Sequence, residues 1–377
     1  MVSVEVSLPG GGEMYDGIEI DMLSLGDADC IVVTQYHANM GAQSVLIDGG
    51  KESDAPAILD FLRRMNKTNL WAAICSHLHN DHARGLIKIV EHPSITIQTG
   101  WMHDVRTHVL PDALRRASSG YSQEAEGVRQ VLDNTRDLAS AFASRGVTPT
   151  EPFAGQVIAG CPYMLVLGPT EQSYEKAITE FTDEVPNPLF AALLGASRRQ
   201  QGPISQRLSL LPPPTNPYAV PLAGTLKNMA IEQRPTTQPF NKTSTILGVN
   251  YLSQKLLFTA DAGSNALDSV PADWQHLDWM QVPHHGSDGN LSKSNAERFC
   301  PKFANISACG DDSHPSRAIV NALIKLGSRV FSTHKSGNLW FKIGDVPPRT
   351  GYIEAIPLLG SVETVVNLNY LSSLNKL

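Results

Sequence analysis

No apolar run in this chain approaches the roughly 18 residues that a membrane-spanning helix requires. Its start, Met1-Val2-Ser3-Val4-Glu5-Val6, has no basic stretch leading into an apolar core. The resulting expectation is a cytoplasmic protein with no membrane partner. Cysteine is scarce: Cys30, Cys75, Cys161, Cys300 and Cys309 are scattered, odd in number and without a Cys-x-x-Cys pair. That excludes a disulfide framework and a zinc ribbon, and predicts small core residues. An excess of positive charge is lacking as well. A net charge of -7 argues against a broad basic surface for duplex nucleic acid, while leaving room for a local basic groove. Nor is the composition that of a disordered chain, since 42% of residues are hydrophobic and 18% charged. At 377 residues the chain has length for one large or two ordinary domains.

What the chain does have is Cys75-Ser76-His77-Leu78-His79-Asn80-Asp81-His82, which packs three imidazoles and a carboxylate together directly after the apolar run Leu70 to Cys75. The run reads as a short buried strand and Ala83 to Val90 as a helix, so the cluster sits on a strand-to-helix loop that aims several side chains at one spot. Neutral imidazoles and carboxylates are the donors that zinc, manganese and iron accept. The pattern reads as a metal site.

His-x-His-x-Asp-His resembles the signature of the metallo-β-lactamase superfamily. The resemblance implies an α+β fold, a metallo-β-lactamase-type αββα sandwich of two facing mixed β-sheets with helices outside, and a centre of two divalent transition metals at one edge. It assigns His77 and His79 to one metal, and Asp81 and His82 to the other. Zinc is expected ahead of manganese. Two further segments, Leu25-Gly26-Asp27-Ala28-Asp29 with Leu46-Ile47-Asp48-Gly49-Gly50, and Val282-Pro283-His284-His285-Gly286-Ser287, resemble the soluble hydrolase domain of ComEC and its free-standing relatives.

The remaining site residues follow from these likenesses. Asp261 lies at the end of a strand read over Lys255 to Gly263, at the point where the superfamily's bridging aspartate stands, and His284 is the first choice as the ligand completing the second metal. Adjacent residues of an extended segment point opposite ways, so the two imidazoles are not expected to bind the same ion; one of His284 and His285 is the ligand, and the other, His285 on this choice, a substrate-facing or supporting group. His314 and His334, with Lys335, fall on loops where they could hold an anionic group. Asp48 is expected to orient a ligand histidine. His103 or His108 could be a further ligand or a substrate contact, although an isolated loop histidine is more often neither. Where the superfamily commonly places a third histidine for the first metal, this chain has Gly168-Pro169-Thr170, which predicts a weaker first site.

Elsewhere the pattern predicts a hairpin over Gly17 to Val33, a helix over Pro56 to Met65, a strand over Ser94 to Gln98 and two helices between Ala113 and Gly146. It also predicts a helix over Arg317 to Leu326 and strand-like pieces at Tyr352 to Ile356 and Val362 to Leu371. Regularity lapses from Glu171 to about Phe240 around a proline-rich centre, so 1–377 reads as a single domain with an insertion at about 171–240. The insertion is a candidate surface for a protein partner.

The chemistry expected is hydrolysis by a metal-activated water, with Asp81 both binding metal and orienting the nucleophile. A phosphodiester, either single-stranded nucleic acid or something smaller, is the first choice of substrate. The alternatives are a carboxylic ester, lactone or thioester, and a catalytically retired scaffold that binds a partner through the insertion.

Overall fold

The computed structural model describes residues 15–38, 41–109, 122–184, 237–311, 314–349 and 353–360. Alternation of side chains along each strand sorts them into four layers. In β3 (Gly41–Ile47), Val45 and Ile47 join the core between the two sheets, while Leu46 faces the helices outside. In β8 (Gln254–Phe258), Leu256 and Phe258 face inward and Leu257 outward. This period of two is what lets a strand serve a core on each face.

One six-stranded sheet runs β12 (Leu339–Asp345), β1 (Asp16–Met22), β2 (Ile31–His37), β3, β4 (Asn69–Ile74), β5 (Thr96–Trp101). The other runs β11 (Arg329–Ser332), β10 (Phe303–Ile306), β9 (Trp279–Gln281), β8, β7 (Ile246–Tyr251), β6 (Met164–Gly168). Over the first sheet lie α1 (Ala55–Arg64), α2 (Asn80–Glu91), α3 (Val105–His108), α4 (Gln123–Ser144) and α5 (Glu171–Asp183). The second is covered by α6 (Ser264–Asp268), α7 (Lys293–Phe299) and α8 (Arg317–Lys325), followed by the short α9 (Thr333–Ser336). The expected αββα sandwich of two facing mixed sheets is therefore the observed architecture.

Each sheet is antiparallel in one half and parallel in the other: β3, β4 and β5 run parallel, as do β8, β9, β10 and β11. Parallel strands deliver the loops after their carboxyl ends to the same edge, which is where open α/β sheets place ligands. The loops after β3, β4, β8, β9 and β10 carry Asp48, His77, Asp261, His285 and Ser307.

Several elements differ from the sequence reading. The helix α2 begins at Asn80, so Asp81 and His82 lie in its first turn instead of on a loop. Of the expected pair of helices, α4 is one continuous 22-residue helix, and 110–121 lie outside the described residues. The supposed insertion opens with α5, whose Tyr174, Ala177 and Ile178 are buried; 185–236 lie outside the described residues. β12 was not anticipated: its Lys342 and Trp340 side chains interrupt the apolar pattern, yet its backbone pairs with β1 over its full length. At the chain end, residues 353–360 form no strand, although Leu358 N donates to Val330 O, and Ile353 is 89% exposed; 361–377 lie outside the described residues. The cysteines are unpaired, with Cys30, Cys75 and Cys161 buried as expected but Cys309 exposed.

On the outer face of β1, Glu19 and Asp21 alternate with the inward Ile18, Ile20 and Met22, and both carboxylates are buried. Lys67 Nζ donates to Glu19 at 2.7 Å and to Asp21 at 2.8 Å, and Arg349 bridges the same two carboxylates. Tyr36 and Trp340 also donate to Glu19. Burial alone would raise the Glu19 pKa, but Lys67, Tyr36 and Arg349 outweigh it and hold the group below its ordinary 4.5. Removing one partner strands a buried charge. We expect Lys67→Met to cost about 3–5 kcal/mol in urea unfolding. Because the folded pKa is depressed, the stability Glu19 contributes should be complete above the unfolded pKa and vanish as pH falls through the folded value, which a pH series of unfolding midpoints would show.

Candidate metal centre

The loop after β3 and the start of α2 approach so closely that only glycine fits between them. A Cβ on Gly85 would lie 1.9 Å from Gly49 O, and one on Gly49 would lie 2.2 Å from Leu86 N. Gly49 N donates to His82 O and Gly85 N to Gly50 O, which ties the first turn of α2 to the end of β3. Asp48 is thereby held under His82. Its carboxylate accepts from Ser76 N at 2.7 Å, from Ser76 Oγ at 2.6 Å and from His82 Nδ1 at 2.8 Å. With Nδ1 donating, His82 turns its other nitrogen into the cleft, as the sequence reading of Asp48 expected.

Among the described residues, four groups of donors each lie within 4.8 Å of one another: His77, His79 and Asp261; Asp81, His82 and His285; Asp29, His82 and Asp261; and Asp27, Asp311 and His314. The first three share members and form one centre. Asp261 stands between its halves, Oδ2 lying 3.6 Å from His77 Nε2 and Oδ1 lying 3.5 Å from His82 Nε2. His285 Nε2 is 3.7 Å from Asp81 Oδ2, and His77 Nε2 is 3.1 Å from His79 Nδ1. Most of these gaps are too long for good hydrogen bonds. They are close to the edge of a tetrahedron around an ion with ligands at about 2.0–2.1 Å, which is roughly 3.4 Å.

A second observation bears on whether the residues fit a metal. His82 Nε2, Asp261 Oδ1 and His285 Nε2 are buried with no hydrogen-bond partner. Buried polar atoms are rarely left so, and three converging on one cleft call for an occupant that accepts lone pairs. The donor set is imidazole and carboxylate throughout, so the residues fit zinc, manganese or iron.

The electrostatics agree. Burial opposes charge on His82, but Asp261 and Asp48 outweigh it and hold its pKa well above the ordinary value. His285 is likewise carried against burial to about 9 by Asp81 and Asp29. Burial would raise the Asp81 pKa, yet the neighbouring His285 imidazole and the charge of His82 outweigh it and hold the carboxyl below its ordinary range. His77 and His79, in contrast, are pushed down by burial, His77 well below the ordinary value, so they present neutral imidazoles. The cleft stabilises positive charge, which protons or a metal can supply in competition.

The structure thus gathers His77, His79, Asp81, His82, Asp261 and His285 in one place. His285, not His284, joins Asp81 and His82. The sequence reading assumed an extended segment, whereas His284 and His285 both take left-handed backbone, with φ of 49° and 54°. His314 is next to the centre: Nδ1 lies 3.2 Å from Asp27 Oδ2, and its ring is 5.5 Å from that of His284 and 5.8 Å from that of His285. His334 does not join the centre; its Nδ1 is 2.6 Å from Ser332 Oγ and its ring packs on Gly310. His103 stacks on Tyr174 at 4.1 Å and His108 contacts Glu151 at 3.0 Å, away from the donor groups.

Asp29 was missed. It is buried, burial pushes its carboxyl up to about 6, its Oδ2 accepts from Gln281 Nε2 at 2.8 Å, and its backbone N donates to Asp81 O. Within Gly26-Asp27-Ala28-Asp29 it reads as a turn residue, and only the fold brings it under the second sheet's loops.

No protein-family model matches the chain, and no curated protein does. Among solved structures the chain is similar to a hydrolase, AbOPH, of the beta-lactamase superfamily, at 10% identity over 67% of this chain and 75% of that one, with a TM-score of 0.33. It is similar to a long form RNase Z from yeast at 10% identity, covering 80% of this chain but 38% of that one, with a TM-score of 0.37. A diphosphatase from the PhnP family is 11% identical over 84% of this chain and 86% of that one, with a TM-score of 0.35. The architecture stated above rests on the two sheets and their helices themselves. No helix among the described residues is long and apolar enough to cross a membrane.

Asp48→Ala should free His82 to present the wrong nitrogen to the cleft. We expect the affinity for zinc to fall about 10–100-fold, read by competition with a chromophoric chelator. Unchanged affinity would show that Asp48 does not orient His82.

Proposed function

We propose that the chain is a metal-dependent hydrolase of phosphodiesters. The observation that carries the metal part is the convergence of the partnerless, buried His82 Nε2, Asp261 Oδ1 and His285 Nε2 on one cleft. His77, His79 and Asp261 would hold one divalent metal, and Asp81, His82 and His285 the other, with Asp261 shared; zinc is the first candidate and manganese the second. Bound there, the metals would supply a nucleophilic water at neutral pH and offset charge on the phosphoryl oxygens.

The chain's own groups do the positioning. Asp81, kept anionic by His285, accepts a hydrogen bond from the attacking water and fixes its direction. The Nδ1 of His285 donates to Ser307 O at 2.9 Å, which sets the ring's tautomer. His314 donates from Nδ1 to Asp27, which leaves the lone pair of Nε2 to accept a hydrogen bond from a hydroxyl group or water at the site. Phe240 lies 4.9 Å from the His79 ring, and its apolar face shields that side of the cleft from water. We assign His334 no part.

The phosphodiester rests on the likeness of the Gly-Asp opening and the Pro-His-His-Gly-Ser run to the ComEC-type branch. Single-stranded nucleic acid and a small diester both remain within it. Asp81→Asn keeps the side chain's shape but removes its charge. With zinc or manganese bound, we expect the wild type to hydrolyse bis-p-nitrophenyl phosphate and Asp81→Asn to lose on the order of 10²-fold or more of that rate. Single-stranded and duplex DNA and an aryl ester belong in the same assay. If none of the phosphodiesters is cut while the ester is turned over in an Asp81-dependent way, the substrate is a carbonyl ester and this assignment is wrong.

A further inference from the structure

The first donor group has two imidazoles and one carboxylate, and the strand end Gly168-Pro169-Thr170 brings it no further imidazole. We propose that His284 supplies it, so that two consecutive histidines are divided between the two metals: His284 completes the site of His77, His79 and Asp261, and His285 that of Asp81 and His82. This rests on the metal-centre reading above.

The assignment follows from a chain of donors and acceptors. The backbone oxygen of Asp261 can only accept, and Asn290 Nδ2 donates to it at 2.7 Å, which fixes the orientation of the Asn290 amide. Its Oδ1 is then the atom that meets His284 Nδ1, at 3.0 Å, and it too can only accept. Asn241 Nδ2 also faces this nitrogen, but at 3.5 Å it is the weaker contact, so His284 carries its proton on Nδ1 when neutral and Nε2 holds the lone pair. That lone pair lies 3.6 Å from Asp261 Oδ2, the same oxygen that lies 3.6 Å from His77 Nε2. An imidazole lone pair and an anionic oxygen at this separation repel unless a cation lies between them, and the spacing is close to a tetrahedral edge of roughly 3.4 Å.

The backbone explains how neighbours can serve different ions. His284 and His285 take φ of 49° and 54°, and Gly286 follows at 80°, so the chain makes a left-handed turn instead of continuing extended. The two rings splay to 5.7 Å between centroids at 54°. His284 N donates to Ala260 O at 3.0 Å, binding this turn to the loop that carries Asp261. Left-handed backbone is unfavourable for a side-chain-bearing residue, and two such residues in succession are retained where the side chains gain something from it.

The test is cobalt(II) titration of the metal-stripped protein, read by visible absorption and by calorimetry, with no reliance on activity. Glycine accepts the left-handed backbone without strain, so His284→Gly removes the imidazole and leaves the turn relaxed; His284→Asn, which also tolerates it, is the second variant if glycine loosens the fold. The wild type should take up about two equivalents. In His284→Gly the equivalent held by His77, His79 and Asp261 should weaken by about 10²-fold or be lost, while the other stays. His285→Gly should show the converse, and combining His284→Gly with His79→Ala should add no further loss at the remaining site. If both equivalents bind His284→Gly as they bind the wild type, His284 is not a ligand and the proposal fails while the metal centre stands. A wild type that takes up no cobalt overturns the metal reading itself, and this proposal with it.

Discussion

The carboxylate of Asp261 is the constraint on which the rest depends. It is buried, anionic and faced by the Nε2 atoms of His77, His82 and His284 at 3.5–3.6 Å, from loops of both sheets. A charge so placed is tolerable only with compensation close at hand. The parallel half of each sheet brings that compensation to the same edge, and the αββα sandwich lets loops from opposite sheets meet over one carboxylate. Had the sheets been antiparallel throughout, successive loops would alternate between edges and the donors would be divided.

Orientation is secured one atom further out. Each imidazole whose Nε2 faces the cleft through a fixed tautomer has its Nδ1 committed elsewhere: His82 to Asp48, His285 to Ser307 O, His284 to Asn290. The backbone contributes as well. Asp48, Ala260, His284 and His285 all have positive φ, at 58°, 44°, 49° and 54°. At roughly 1–2 kcal/mol each this is a substantial local cost. It is offset by the apolar layers behind the site, where Ile47, Ile74, Leu256, Phe258 and Trp279 are all but fully buried.

Much of this was legible in the sequence, for identifiable reasons. Local patterns carried the hairpin, α1, the strand before His77 and the strand before Asp261, because each is a short apolar run bounded by glycine, proline or a polar turn. His77, His79, Asp81 and His82 could be singled out because metal donors at such close spacing are rare elsewhere in the chain, and Asp261 by the likeness of its strand end to the superfamily pattern. What failed depended on non-local geometry. Asp29 looks like a turn residue until Gln281, from the other sheet, is seen to donate to it. The backbone at His284 and His285 was read as extended, because left-handed backbone cannot be read from two histidines before a glycine. β12 was overlooked because its partner is at the opposite end of the chain.

Two dense clusters of buried carboxylates show how their roles can be told apart. Glu19 and Asp21 meet Lys67, Arg349, Tyr36 and Trp340, so donors surround them and the Lys67 contacts are ordinary hydrogen bonds of 2.7 and 2.8 Å. Such a cluster is complete in itself: its positive charge is covalently part of the chain, and it fastens β1 to Arg349 beyond β12 and to Lys67 before β4. Around Asp261 the counter-groups are imidazoles, which can be neutral, and their separations are longer than hydrogen bonds, with His82 Nε2, Asp261 Oδ1 and His285 Nε2 unsatisfied. Fixed cations would have closed that gap permanently. Imidazoles leave it to be closed by something exchangeable, and it is that difference, more than the number of charged residues, that separates a fastening from a site of chemistry.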